Sequence, residues 1–282
     1  MSDRPPNMFV EDMDVDASPT ATIAVGGAFF AIKAGKCWRE EMAGGKRGEI
    51  REFSSASRRR LMRYMAQVDR TQCRRRPLFV TLTYPARFPT SSRVYKAHLR
   101  SFLARFKRRY PHVPIIWRLE FQKRGAPHYH LMIFTPWYIS WRWVAGAWYE
   151  ATGCADYLTL VAGTETRAVR SWGGVMHYAA KYMSKSGPLP DGQAPGRLWG
   201  IHNRKDLPIR LQIITLDWTH FATLQGWLWA WHLGQGREVL HRYRTKGASA
   251  YMSEDMAYSM VQAALLGLSV SNASCDRHLA GA

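Results

Sequence analysis

A chain of 282 residues, 46% of them hydrophobic and 12 of them tryptophan, can bury a sizeable core as one large domain or as one domain with an appendage. Its 40 Lys and Arg outnumber 21 Asp and Glu for a formal net charge of +19, which suits a phosphate-rich partner; a ribosome-like or membrane-surface binder is the blander alternative. Four scattered cysteines without a Cys-x-x-Cys pair argue against a structural zinc site and for a reducing compartment, and the lack of a G-x-x-x-x-G-K-[ST] motif argues against an ATP-driven motor.

Residues 1–22 carry Asp3, Glu11, Asp12, Asp14 and Asp16, the pattern of a disordered acidic leader and unlike a secretory signal. The apolar stretch 23–32 is too short to span a bilayer and contains Gly26 and Gly27. From 58 to 76 the chain is strongly basic: Arg58, Arg59, Arg60, Arg63, Arg70, Arg74, Arg75 and Arg76 are offset only by Asp69. Ser54, Ser55 or Ser57 can cap a helix here, with Leu61, Met62 and Met65 as its apolar side. Residues 78–84 read as a strand stopped by Pro85. Residues 92–110 form an amphipathic helix, with Tyr95, Leu99, Phe102, Leu103, Phe106 and Tyr110 recurring at steps of three and four. Its other positions include Lys96, Arg100, Lys107 and Arg108 and no acid, which favours a phosphate-facing surface.

Residues 113–122 and 128–134 read as an antiparallel hairpin joined through Lys123-Arg124-Gly125-Ala126-Pro127. A Trp-rich helix at 140–152, short strands at 157–161 and 167–170, and a helix at 174–184 follow. A strand at 209–216, a helix at 218–233 and a less strongly patterned helix at 254–266 complete the chain. Strands and helices mix, with hairpins prominent, so the fold class is α+β with a central antiparallel sheet.

The chemistry concentrates in two places. Glu120, Gln122, His128 and His130 are all even-numbered, so alternation puts each strand's pair on one face. A turn centred on Gly125 sets 120 opposite 130 and 122 opposite 128. Two neutral imidazoles and an oxygen ligand suit a divalent ion with open coordination positions. Read alone, a polar outer face with exposed histidines describes the hairpin equally well. Tyr178 and Tyr182 are four apart on a helix and share a face. A phenol near its ordinary pKa of about 10 is a weak nucleophile, and Lys181 is placed to assist it or to orient a phosphate. A core tyrosine pair is the alternative.

Three ordered stretches carry a resemblance: Thr81-Leu82-Thr83-Tyr84, then 120–130 with His128-Tyr129-His130, then Tyr178-Ala179-Ala180-Lys181-Tyr182. They resemble the motifs of rolling-circle replication initiators of phage and plasmid type, within the HUH (His-hydrophobic-His) endonuclease superfamily. Gly196-Arg197-Leu198-Trp199-Gly200 with Asn203-Arg204 adds to it, and the whole spans roughly 55–220. Tyr129 is a polar-tipped choice at the hydrophobic position. The resemblance implies a ferredoxin-like or RNA-recognition-motif-like core. It implies Mg²⁺ or Mn²⁺ on His128 and His130, with Glu120 as third ligand and Gln122 its competitor. It also implies attack by Tyr178 on single-stranded origin DNA, with Tyr182 serving a second cleavage. Single-tyrosine initiators with Tyr-x-x-Lys fit Tyr178 and Lys181 equally. A host helicase and DNA polymerase are the implied partners, in the bacterial cytoplasm and away from membranes. The corresponding organisation is a leader at 1–22, a basic helical region at 23–76, the endonuclease domain at 77–220 and a helical accessory region at 221–282. Arg58, Arg59, Arg60, Arg74, Arg75, Arg76, Lys96, Arg100, Lys107 and Arg108 are the candidate DNA contacts, with Trp117, Trp137 and Trp172 as candidate stacking residues. A transposase of the same superfamily, a relaxase, or a non-enzymatic basic DNA-binding protein are the other readings.

Overall fold

The computed structural model describes residues 18–34, 50, 52–154, 156–172, 181, 183, 189–190, 195–234 and 247–267. The chain divides into two compact units, one from Lys46 to Arg210 and one that combines Met1–Gly45 with Leu211–Ala282.

In the central unit, the amphipathic helix read from the sequence is α2 (Ser92–Arg109), which buries Tyr95, Leu99, Phe102, Leu103 and Phe106. It follows β3 (Leu78–Leu82) and leads into the hairpin of β4 (Ile115–Phe121) and β5 (Pro127–Ile133). Then come α3 (Trp141–Thr152), α4 (Tyr157–Ala162), β6 (Thr164–Ala168) and β7 (Trp199–His202). The sheet order is β6-β3-β5-β4-β7, with antiparallel ladders between neighbours. Strands β3, β4, β5 and β6 with their helices form a split β-α-β arrangement of the ferredoxin-like kind. The histidine-bearing β5 is the middle strand.

Odd positions of β5 face the helices: the Tyr129 hydroxyl donates to the Tyr95 carbonyl of α2 at 3.0 Å, and its ring meets Trp148 of α3. Even positions therefore face the other way. On that second face lies α1 (Ser55–Gln67), capped by Ser54, whose Oγ accepts from Ser57 N at 3.2 Å. Tyr64 of α1 packs on Trp199, which pairs with Arg118, and Phe53 just before the helix lies under the Arg118 guanidinium.

The other unit has a four-stranded sheet ordered β8-β1-β2-β9, from β1 (Thr20–Val25), β2 (Phe30–Lys33), β8 (Arg210–Thr215) and β9 (Gly247–Ala250). Helices α5 (Trp218–Gly234) and α6 (Glu254–Leu265) share its core through Phe221, Leu224, Leu228, Met260 and Val261. No helix among the described residues is long and apolar enough to cross a membrane.

Two local expectations are corrected. Residues 20–33, assigned in part to a helical N-terminal region, form a β-hairpin that turns at Gly26 (φ +65°), with Ala24 N donating to Phe29 O. Residues 157–161, read as a strand, form α4. There the Asp156 carboxylate accepts from Leu158 N at 2.9 Å, and this cap outweighs the weak strand preference of Leu, Thr and Val.

Candidate metal centre

The hairpin turns through Lys123, Arg124 and Gly125. Gly125 takes φ +81°, its N–H donates to Gln122 O at 2.8 Å, and Gln122 N–H donates to Ala126 O at 3.0 Å. A side chain at that φ is strained, so the glycine is required. The loop is centred on Arg124, not Gly125, and the register moves with it. Glu120 pairs with His128 and Arg118 with His130, correcting the expected 120–130 and 122–128 pairing. A two-residue change in the pairing sum leaves every side chain on its face, so the cluster survives.

Glu120, His128 and His130 offer ligand atoms that all lie within 4.8 Å of one another. His130 is 3% exposed, and its Nε2 is 2.8 Å from Glu120 Oε1. Its Nδ1 is 3.5 Å from Thr81 Oγ1, and its ring stacks on Phe79 at 5.4 Å. The His128 and His130 rings are 4.6 Å apart at 80°. Bonds of about 2.0–2.1 Å around an octahedral ion put neighbouring ligand atoms about 3 Å apart and opposite ones about 4 Å apart. The residues fit such an ion. Thr81 and Phe79 hold the His130 ring as outer contacts usually hold a ligating imidazole.

Burial pushes the Glu120 carboxyl up, but the His130 hydrogen bond and the charges of His130, His128 and Arg118 outweigh it and hold the pKa below the ordinary carboxylate value. Glu120 is thus held as the anion a ligand must be. Arg118, 3% exposed, stands on the same face, and burial lowers its pKa to about 10 against the opposing pull of Glu120. Its Nη1 donates to Leu198 O at 3.3 Å. Arg118 was not singled out from the sequence, although its even number on β4 is the signal that finds it. The Gln122 amide is occupied otherwise: Oε1 accepts from Arg124 Nε at 2.9 Å, and Nε2 lies 3.3 Å from both Thr83 Oγ1 and His128 Nδ1.

Tyr178 and Tyr182 lie outside the described residues. Lys181 is exposed, and Met183 is buried in the core of the central unit. Arg58, Arg59 and Arg60 belong to α1, on the sheet face that carries the imidazoles; Arg59 and Arg60 are exposed and Arg58 is half-buried. Arg74, Arg75 and Arg76 are exposed just before β3, where Arg76 donates to the Arg170 carbonyl. Arg100, Lys107 and Arg108 are exposed on α2. Because α2 packs on the opposite face of the sheet, the structure does not bring them to the Glu120–His128–His130 cluster.

Lys96 is half-buried, its ammonium 5.0 Å from the Trp117 ring centre and donating to the Arg197 carbonyl. Trp117 itself packs on the core, with Gly200 against its indole. Burial first, then Arg197, Arg118 and Arg100, lower the Lys96 pKa from 10.5 to about 8. Between these values the unfolded chain binds more protons, so the lysine's penalty is full below about pH 8 and fades as pH rises to 10.5. Lys96→Met is therefore expected to raise the melting temperature by a few degrees at pH 7, with the gain shrinking toward pH 10.5. A gain independent of pH would show that the ammonium is not the cause.

Fold and site together define an α+β protein with a candidate divalent-metal centre on the middle strands of its sheet. Residues 77–187, from β3 past the hairpin, match the family model of replication-associated proteins of the ORF2 group. The chain is also similar to a protein of Xylella fastidiosa (strain 9a5c) named "Putative replication protein", at 27% identity over 227 residues, which cover 72% of this chain and 76% of that one. Both comparisons support a role in replication.

Proposed function

We propose that the protein starts rolling-circle replication by nicking single-stranded origin DNA and holding the cut end on a tyrosine. The observation that carries this reading is the Glu120–His128–His130 cluster, inside the stretch that matches a replication-associated family. Glu120, His128 and His130 hold the ion, and Gln122 positions His128. A bound Mg²⁺ or Mn²⁺ supplies Lewis-acid polarisation of the scissile phosphate. Tyr178 attacks the phosphorus; its phenolic proton is released as the new P–O bond forms. The bond to the 3′ oxygen breaks, and that oxygen takes up a proton to become a free 3′-hydroxyl primer. The 5′-phosphotyrosine keeps the ester energy for later resealing without ATP. Lys181 assists the phenol or the phosphate, and Tyr182 serves the second cleavage. A host helicase and polymerase then extend the primer in the bacterial cytoplasm.

Incubating the protein with labelled single-stranded origin DNA and Mn²⁺, then sequencing the adduct by mass spectrometry, tests this. A nucleotide on Tyr178, absent when the metal is chelated, is the expected result. No adduct on any tyrosine would reject the proposal.

A further inference from the structure

A second concavity lies at one end of the same sheet. Three segments converge there: residues 73–76 entering β3, 135–139 leaving β5 and 168–172 leaving β6. The cavity encloses about 500 Å³, and its walls carry Arg74, Arg75, Arg76, Trp137, Tyr138 and Trp172. Among the described residues, no carboxylate lines it. A space of this size falls in the range that holds a small organic ligand, about 300–1,000 Å³.

The aromatic walls are unusual for their exposure. Trp137 is 49% exposed and Tyr138 71%, although each has a large apolar ring that burial would favour. Trp137 is nevertheless fixed in place. Its N–H donates to Thr135 Oγ1 at 3.0 Å, and the Thr135 hydroxyl donates to Trp137 O at 3.2 Å. Trp172 is half-buried against the core. Arg76 is tied to the Arg170 carbonyl across the cleft's rim, while Arg74 and Arg75 are exposed beside it. Held aromatic faces next to a run of guanidinium groups match one ligand chemistry: a flat unpaired base joined to phosphates. Bases stack on aromatic rings whatever their sequence, and arginines track the backbone.

The position also suits it. Leu78, which lines the cavity, pairs with Ile133 and Ala168, three places along β3 from the row that pairs Thr81 with His130. Three residues of strand span about 10 Å, so a strand whose scissile phosphate sits at the metal centre reaches the cleft within a few nucleotides.

We infer that this cleft is a base-stacking subsite for single-stranded DNA, which grips the strand a few nucleotides from the cleavage point. The inference rests on the nicking proposal for its biological setting, but its test does not. Affinity is measured by fluorescence anisotropy with a labelled oligo-dT and with a hairpin duplex, in EDTA, so that no cleavage takes place. Trp137→Ala and Tyr138→Ala are each expected to weaken oligo-dT binding by about tenfold, as the loss of one stacked base predicts, and to leave duplex binding unchanged. An oligonucleotide made of abasic sugars should bind wild type and Trp137→Ala equally. Arg75→Ala should weaken all ligands and flatten the salt dependence. Tyr157→Ala, which removes an exposed ring on α4, is the control and should change nothing. Unchanged oligo-dT affinity in both aromatic variants would overturn the inference, as would equal losses for duplex and single strand. Normal stacking with no tyrosine adduct would leave the subsite standing and reject only the nicking reaction.

Discussion

Replacing His128 and His130 together by alanine is expected to lower metal-dependent nicking by about a thousandfold or more, as lost Lewis-acid stabilisation of several kcal/mol implies. The double variant leaves Glu120 alone on the face, and one carboxylate does not hold a divalent ion against water. His130 also packs on Phe79, so its removal leaves a gap in the core. His128→Ala is the cleaner companion, because that ring is only half-buried and stacks edge-on to His130. The single variant should melt near wild type, lose nicking by about a hundredfold or more, and partly recover at high Mn²⁺. Glu120→Gln should behave similarly, since the amide keeps the hydrogen bond to His130 Nε2 but removes the negative charge. Retention of wild-type nicking in the double variant would exclude these residues as ligands. Because ligating imidazoles must be neutral, activity should also fall in acid, and added metal should shift that fall to lower pH.

Tyr178→Phe is expected to abolish the covalent adduct outright, because no other atom of that side chain can attack phosphorus. Tyr182→Phe should retain the first cleavage and lose only the second strand transfer. This pair of outcomes separates two alternating nucleophiles from a single one followed by Lys181. If Tyr178→Phe still forms the adduct and Tyr182→Phe does not, the first attack belongs to Tyr182. Duplex and single-strand affinities should be unchanged in both, since one hydroxyl is removed from a protein whose net charge is +19.

The sequence made some parts of this molecule legible and hid others for identifiable reasons. Helix α2 was readable because Tyr95, Leu99, Phe102 and Phe106 repeat at the helical period and all face the sheet. The shared face of Glu120, His128 and His130 was readable because strand alternation depends only on parity. The pairing register was not, because it turns on the left-handed conformation of one residue, Gly125. Arg118 escaped notice because a single arginine in a basic chain carries no signal until its parity is set against that of Glu120. The strands at 20–33 were obscured by their partner: β2 pairs with β9, more than two hundred residues later, and no local pattern announces that.

That distant pairing has a consequence for how the protein is made. Strand β2 cannot complete its ladder until Gly247–Ala250 has left the ribosome, whereas all five strands of the histidine sheet are synthesised by His202. The central unit is in effect an insertion within a discontinuous domain, and the order of translation favours its forming first. In the interval the hairpin at Thr20–Lys33 exposes an unpaired edge. A nascent chain stalled before residue 247 is therefore the species most exposed to aggregation, and slower synthesis of the last third would prolong that hazard.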